Sequence, residues 1–459
     1  MGKLTLSQAA AWCGGRVDPK YADVTFLGAN NDSRNILPGQ LFVALQGARD
    51  GHEFVAAAME KGAAAVLCTR EVGDIPAIIV EDTRIALGDI ARQERQRIGM
   101  KVVGVTGSVG KSTTKEMICT VLGTTYKVSK TPANHNNDIG MPMAVLAMPE
   151  DTEVAVLEMG MNHFREIAYL ASIGKPDVAV ITNIGTMHIE HLGSQQGILQ
   201  AKLEILEGME EDGKVILNGD DALLWNLHRQ HQRKIIYFGT RNPEADCVAQ
   251  NVNQSANHLS FSACYAGENM PVDMALEGEH YVSDALAAIA VGMELGVTPN
   301  AIVESLAVFR NMAGRQEIFE AKGCTIIKDC YNAGPESMAA ALAVLGNKPG
   351  RKVAVLGDML ELGVCAEAEH YRVGRIAAEK ADLVLAYGPN SDRVVIGART
   401  GGISQAHARS FEDRDALIGA MKRMIRPGDV ILVKGSRGMR MELALEGYLN
   451  EEGQAGDKK

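Results

Sequence analysis

The sequence predicts an α/β protein of three units, the central one a parallel sheet with helices on both faces. Three observations predict it. Short valine-rich runs alternate with helical patterns from about residue 99 to 313, which is the βαβ rhythm of a parallel sheet. A glycine-rich turn, Gly107 to Gly110, joins the apolar run Val102–Val105 to a helix-competent segment. A second open α/β alternation fills residues 314–459, and 459 residues allow about three domains.

The first unit covers residues 1–98 and is the smaller. Thr5 can cap a short helix near Ser7–Cys13 that Gly14-Gly15 ends. Leu41–Leu45 reads as a strand after the Pro38-Gly39 turn, Phe54–Lys61 as a helix and Ala63–Cys68 as the next strand. Ser33 and Arg34 sit in a loop before the first of these strands. They suit either recognition of a phosphate or uridine by a hydroxyl and a guanidinium, or an ordinary surface turn.

The central unit, residues 99–313, opens with the glycine-rich turn. Its strands are expected at Val102–Val105, Val154–Glu158, Asp177–Thr182, Lys214–Leu217 and Lys234–Phe238. Its helices are expected at Ser112–Leu122, His163–Ala171, Gln195–Leu206 and Asp220–His231. Residues 246–276 alternate like a small antiparallel excursion, and helices resume at His280–Leu295 and Asn300–Val308. In the third unit, strands are expected at Cys324–Lys328, Lys352–Leu356, Leu383–Ala386 and Val430–Val433. Helices are expected near Glu336–Leu345, Glu367–Lys380, Arg414–Ile425 and Met439–Leu449, with a frayed end at Glu451–Lys459.

Charge and composition narrow the function. A formal net charge of −11 does not suit a protein that coats nucleic acid or an anionic membrane. No window approaches the roughly 18 apolar residues of a membrane span. The N-terminal segment lacks the pattern of a signal peptide. Eight cysteines without a Cys-x-x-Cys pair read as reduced thiols of a cytoplasmic protein.

The turn itself reads as a phosphate cradle. Gly107 and Gly110 let backbone amides of Ser108, Val109 and their neighbours approach an anion. Lys111 would neutralise the outer phosphates, and the Ser112 hydroxyl would ligate magnesium, with Thr113 following on the helix. Val105 stands where the strict P-loop pattern has glycine. Glu158 closes an apolar strand, at the end where ligands of such sheets bind, and could hold magnesium beside Ser112. His188 and Glu190 follow the strand that ends at Thr182-Asn183. Lys202 falls on one helix face with Ile198 and Ile205. Burial there favours a neutral amine, which can take up carbon dioxide as a carbamate; a lysine whose stem merely covers apolar surface fits the same spacing.

Taken in order, the motifs carry a resemblance. They are Thr106-Gly-x-x-Gly-Lys-Ser-Thr-x-Lys115, Asn134-His-Asn-Asn-Asp-Ile-Gly-Met-Pro142, Glu158-Met-Gly-Met-Asn-His163, His188-Ile-Glu190 and Ala201-Lys-x-Glu204. Gly314-Arg-x-Glu317, Asp329-Cys-Tyr-Asn-Ala333, Gly357-Asp-Met-x-Glu-Leu-Gly363 and Val433-Lys-Gly-Ser-Arg437 follow. The set resembles the Mur ligases across about residues 5–448, and within them the branch that joins D-alanyl-D-alanine to UDP-N-acetylmuramoyl-tripeptide. The segment from Asp32 to His52 is similar to that family's UDP-binding domain. The resemblance implies ATP-dependent amide formation through an acyl phosphate, by a cytoplasmic monomer with a Rossmann-like third domain. It also implies carbamylated Lys202, Mg2+ held by Ser112, Glu158, His188 and Lys202, and catalysis by these residues with Lys111. By the same resemblance Arg315, Asp329 and Asn332 bind the nucleotide, while Asn137 and Asp138, with Ser33 and Arg34, bind the peptide and UDP parts of the substrate. One departure stands in the adenine motif, His280-Tyr-Val-Ser-Asp-Ala-Leu-Ala287, where Asp284 replaces the usual asparagine and offers acceptors only. A P-loop kinase is the rival from another class; it would not require an amine to release phosphate.

Overall fold

A computed structural model describes residues 3–133, 135–229, 233–255 and 257–450. The frayed end expected at Glu451–Lys459, and the end of the helix expected to reach His231, lie outside the described residues.

The first unit carries a five-stranded sheet in the order Arg16–Val17, Ala77–Ile79, Ala65–Cys68, Leu41–Val43, Ala29–Asn30. All neighbours are parallel except Arg16–Val17, which runs antiparallel to Ala77–Ile79. The helix Leu6–Cys13 begins at Thr5, whose side chain accepts from the Gln8 amide, and ends at Gly14 as expected. The helix expected at Phe54–Lys61 is Val55–Glu60, preceded by a 3-10 turn, Gly51–Phe54. Asp50 caps the turn by accepting from the His52 amide, so the chain begins to coil earlier than the apolar pattern suggests.

The longest helix of this unit, Thr83–Ile98, was not among the expected elements. Its signals are present: Asp82 accepts from the Arg84 and Ile85 amides, and Gly99 closes the other end. The helix anchors the unit to the centre. Arg92 donates to the Ser172 carbonyl at 3.0 Å, and Arg95 to the Gly174 and Lys175 carbonyls, each at 3.0 Å.

The central sheet has nine strands, in the order Glu268–Met274, His258–Tyr265, Cys247–Ser255, Ile235–Gly239, Lys214–Asn218, Val178–Ile181, Lys101–Thr106, Val154–Glu158, Val128–Lys130. From Val128–Lys130 through Cys247–Ser255 every pairing is parallel. The expected antiparallel excursion is therefore an extension of the same sheet, added by two antiparallel strands. Alternate side chains of Lys101–Thr106 enter separate cores: Val102 packs on the side of the first unit, while Val103 and Val105 face the helices Lys111–Leu122 and His280–Glu294. Those two helices touch where Gly292 meets Val121; a Cβ there would come within 2.5 Å of the valine. The strand order turns back at Lys101–Thr106, which opens a crevice at its carboxyl end.

Three helix expectations in this unit are corrected. The helix expected at His163–Ala171 is Glu166–Gly174, because Arg165 takes a left-handed conformation (φ 72°) and the Glu166 side chain accepts from the Asn162 amide. The helix expected at Gln195–Leu206 becomes 3-10 after Leu203, and Glu204 turns to accept from the Arg165 and Ala168 amides. Ile198, Lys202 and Ile205 nevertheless form one buried row. The helix expected from Asp220 shrinks to Ala222–Trp225, followed by the 3-10 turn Asn226–Arg229. The Asp220 carboxylate is taken by the amides of Thr240, Arg241 and Asn242, and Asp221 becomes the cap.

The third sheet has the order Glu317–Ala321, Cys324–Asp329, Val430–Lys434, Lys352–Gly357, Leu383–Tyr387, Ala408–Phe411, antiparallel only in its first pair. Its helices Pro335–Asn347, Ala366–Lys380, Arg414–Met424 and Met441–Leu449 cover both faces. A buried ion pair joins it to the centre: Lys348 Nζ lies 2.5 Å from Glu277 Oε2, with both side chains under a tenth exposed. Gln316 donates to the Glu277 carbonyl beside it.

Removing one member of a buried pair strands the other charge. Lys348→Met should destabilise the protein by about 3–5 kcal/mol, and Glu277→Leu added to it should recover much of that loss. Chemical denaturation of both single variants and the double variant measures this; a double variant weaker than either single one would contradict it.

Candidate active site

The crevice deepens into a cavity of about 540 Å³, lined from both the central and third sheets. Its floor is the glycine-rich turn. Gly107 has φ 150° and lies so close to Thr182 that a Cβ would stand 1.8 Å from the threonine hydroxyl. Gly110 has φ 83°, and a Cβ there would stand 2.7 Å from Asp284 Oδ1. Both positions need glycine on conformation and on space. The amides of Ser108 and Val109 donate to Asn183 Oδ1 at 3.1 and 3.0 Å, which braces the turn. The helix Lys111–Leu122 then starts at Gly110 without a side-chain cap, leaving its first turn to an incoming anion.

Lys111 Nζ curls onto the turn, donating to the Gly107 carbonyl at 2.8 Å and the Ser108 carbonyl at 3.2 Å. Burial pulls its pKa below the usual lysine value, against the nearby Glu158 charge. Ser112 Oγ accepts from Arg315 Nη2 at 2.9 Å, and the Arg315 guanidinium stacks 4.2 Å from the Tyr331 ring centre. Thr113 is buried beside them.

Glu158 ends its strand inside the cavity, as the sequence implies, and is 2% exposed. Oε1 accepts from Asn136 Nδ2 at 2.9 Å. Oε2 is buried without a hydrogen-bond partner and lies 3.6 Å from Lys115 Nζ. Lys115 itself donates to the Thr131 carbonyl at 2.8 Å. Among the described residues no three His, Cys, Asp or Glu side chains gather to hold a metal. The orphaned Oε2, in the cavity that Ser112 also lines, nonetheless fits a hard cation completed by phosphate oxygens and water.

Lys202 reaches the same cavity and is 2% exposed. Burial first, and the Lys111 charge second, hold its pKa well below the usual lysine value. No carboxylate among the described residues pairs with it. His188 takes a left-handed conformation (φ 64°) after Val178–Ile181, and its Nδ1 lies 2.6 Å from Glu361 Oε2 of the third sheet's loops.

Asp284 is buried under the turn, where Oδ1 accepts from Thr114 Oγ1 at 2.8 Å. Burial pushes its carboxyl up to about 7, despite the Thr114 hydroxyl and the Arg315 charge. From the third sheet come Asp329, whose Oδ2 accepts from Lys434 Nζ at 2.6 Å, and Asn332, whose carbonyl takes a second bond from the same lysine.

Of the remaining expected residues, Asn137 lines the cavity, and its Oδ1 accepts from the Gly140 amide at 2.8 Å where the helix Gly140–Leu146 begins. Asp138 turns away to Arg84 Nη1 at 2.9 Å. Ser33 and Arg34 lie outside the cavity, and Arg34 grips Asp32 through Nε at 2.9 Å and Nη2 at 2.8 Å. Sequence reasoning missed Asn136, Asn183, His280, Glu336 and Lys434 as site residues. Asn136 and Lys434 lay in motifs already singled out. His280, buried so that its pKa falls to about 4, opens the His280–Ala287 motif that the sequence singled out for Asp284.

Comparison with known proteins agrees with this architecture. The family described as "Mur ligase family, catalytic domain" matches residues 23–95, "Mur ligase middle domain" residues 105–292, and "Mur ligase, glutamate ligase domain" residues 314–437. A UDP-N-acetylmuramoyl-tripeptide--D-alanyl-D-alanine ligase of Bacillus subtilis is 42% identical over 96% of this chain and 97% of its own. The crystal structure of MurF from Acinetobacter baumannii superposes with a TM-score of 0.91 at 31% identity, covering 98% of this chain and 100% of that one. The MurF ligase of Thermotoga maritima, solved with ADP, gives a TM-score of 0.81 at 29% identity, covering 92% and 97%. By sequence over nearly its whole length, and by fold, this chain belongs to the Mur ligase family.

Proposed function

We propose that this protein joins D-alanyl-D-alanine to UDP-N-acetylmuramoyl-tripeptide, using ATP and an acyl-phosphate intermediate, to give the pentapeptide precursor of peptidoglycan. The observation that carries this reading is one cavity holding Lys111, Glu158, His188 and a carboxylate-free, buried Lys202, closed by Arg315, Asp329 and Lys434 from the other side. The name of the Bacillus subtilis relative supports the choice of substrates, and the ADP-bound Thermotoga maritima structure supports ATP.

The three units divide the work. Residues 1–98 take the UDP end of the substrate, residues 99–313 carry the phosphate chemistry, and residues 314–459 close over the nucleotide. The chain acts as a monomer in the cytoplasm; no helix among the described residues is long and apolar enough to cross a membrane.

A carboxylate is a poor acyl donor, so its oxygen first takes the γ-phosphoryl group of ATP, releasing ADP. The amine of D-alanyl-D-alanine then attacks the acyl carbon; the amide forms as inorganic phosphate leaves with the bond electrons, and the amine gives up a proton. Lys111 and the first-turn amides at Gly110–Thr113 bind the phosphates and spread the developing charge. Arg315 leaves Ser112 to bind the γ-phosphate, and Asp329 and Asn332 bind the ribose. Ser112 and Glu158 would hold one Mg2+, and His188 with carbamylated Lys202 a second; when bound, these ions would neutralise charge on the phosphates and the carboxylate. The carbamate forms when neutral Lys202 Nζ attacks carbon dioxide and loses a proton, which the depressed pKa favours.

Phosphate release measured with ATP, Mg2+ and UDP-N-acetylmuramoyl-tripeptide should depend on added D-alanyl-D-alanine. Release triggered instead by another amino acid would keep the family and change the substrate. Release indifferent to any amine would favour a kinase. Lys111→Ala should lower kcat at least about 100-fold, the scale of losing one preorganised charge-stabilising donor.

Lys202→Ala should lose most ligation and regain part of it with added short-chain carboxylic acids, which can occupy the carbamate's place. Wild-type turnover in that variant would sink the carbamate.

Asp284 bears on pH. Its folded pKa of about 7 lies above the unfolded value, so its contribution to stability is full below the unfolded pKa and is lost as pH rises through about 7. Asp284→Asn keeps an acceptor for Thr114 and carries no charge. Its advantage in denaturation midpoint over the parent should widen from pH 4 to pH 8; an advantage independent of pH would contradict the buried charge.

A further inference from the structure

One histidine of the cavity, His188, is held by a residue that no part of the proposed mechanism uses. His188 belongs to the central unit, in the loop after Val178–Ile181, while Glu361 belongs to the third. Glu361 Oε2 stands 2.6 Å from His188 Nδ1. At that separation only one proton fits between the two atoms, and a bare nitrogen lone pair would face a bare carboxylate oxygen. The contact lacks the alignment of a hydrogen bond, but it sets Nδ1 against the carboxylate and leaves Nε2 as the ring nitrogen available to a metal.

The surroundings fix this contact rather than leave it to chance. His188 and Glu361 both adopt left-handed backbone conformations, each with φ 64°, which is costly for residues with a Cβ. The third unit's loop presses on the central loop next to the histidine: a Cβ on Gly363 would stand 3.0 Å from Glu190 Cα. A second carboxylate of the third unit, Glu336, grips the same central loop at its other end. There Glu336 Oε1 accepts from the Thr186 amide at 3.2 Å and its hydroxyl at 3.3 Å. Glu336 touches the loop without touching the imidazole, so the two carboxylates can be told apart.

We propose that Glu361 is a positioning residue for the second metal site: it fixes the tautomer and ring orientation of His188, and so makes that site complete only when the third unit is docked. A carboxylate on the far nitrogen of a metal-binding histidine raises the affinity of such sites about 10- to 100-fold. The arrangement ties metal binding to domain closure, because the orienting group and the ligand come from different units. This inference rests on the metal role given to His188 above.

The test uses Mn2+ as the probe, with a non-hydrolysable ATP analogue and UDP-N-acetylmuramoyl-tripeptide bound to the full chain. Free and bound Mn2+ are counted by electron paramagnetic resonance, and folding is followed by thermal melting. The wild type should bind two Mn2+ ions. Glu361→Ala should weaken the weaker one about 10- to 100-fold and leave the tighter one unchanged. Glu361→Gln, whose amide oxygen still accepts from Nδ1, should recover part of the loss. Unchanged binding in Glu361→Ala, while His188→Ala loses one ion, would overturn the positioning role and keep the metal site. Equal weakening in Glu336→Gln would assign the effect to loop docking and overturn it as well. Retention of both ions in His188→Ala would remove the metal role itself, and the inference with it.

Discussion

Two amines, the half-buried Lys111 and the buried Lys202, face one cavity, and neither has a carboxylate bonded to it. Burial of an unpaired ammonium is costly, and two close together repel. The surroundings answer in different ways. Lys111 keeps two backbone carbonyls of its own turn, a satisfied arrangement that a phosphate can replace at once. Lys202 has the apolar row of Ile198 and Ile205 on its own helix and is driven toward neutrality. The same physical pressure thus gives one cation ready for an anion and one amine ready to react. Glu158 Oε2, buried with no hydrogen bond, is the matching anion that has not been spent on either of them.

The third unit supplies what the central sheet lacks. Arg315 crosses to Ser112, Glu336 to Thr186 and Glu361 to His188, while Lys348 reaches back to Glu277. These contacts differ in burial. The Lys348–Glu277 pair is nearly dry, whereas the Glu361 side chain is 44% exposed. Water screens the second contact far more than the first, so the dry pair is the costlier one to break.

Much of this was legible in the sequence because the chemistry sits at strand ends. Val154–Glu158 was expected with its observed bounds, since an apolar run closed by one acid leaves little choice. The glycine turn, and the burial of Lys202 between isoleucines, also follow from periodicity and side-chain size. What stayed hidden depends on which side chains meet. Arg34 was expected to meet a phosphate or to be a solvated arginine of a surface turn; its side chain is 85% exposed in such a turn, held bidentately by Asp32 two residues away. The helix Thr83–Ile98 escaped because its buried face mixes alanines with Thr83, Gly88 and Glu94, so no clean apolar stripe marks it. Glu361 lay inside a singled-out motif, yet nothing local could say that it would cross to His188.

The loop after Val128–Lys130 argues the same point in miniature. Three consecutive polar residues there bond in three directions, two within the central unit and one to the first. Asn136 holds Glu158 Oε1 by a 2.9 Å bond, Asn137 caps the helix Gly140–Leu146, and Asp138 pairs with Arg84 on the long helix of the first unit. Local sequence says only that such a run makes a turn, since Asn and Asp favour one whatever they touch. Its meaning comes from the three-way division. One short run therefore joins the Glu158 side chain, a helix of the central unit and the first unit. The cavity itself is lined by the central and third units, although most of the side chains assigned to its chemistry belong to the central one.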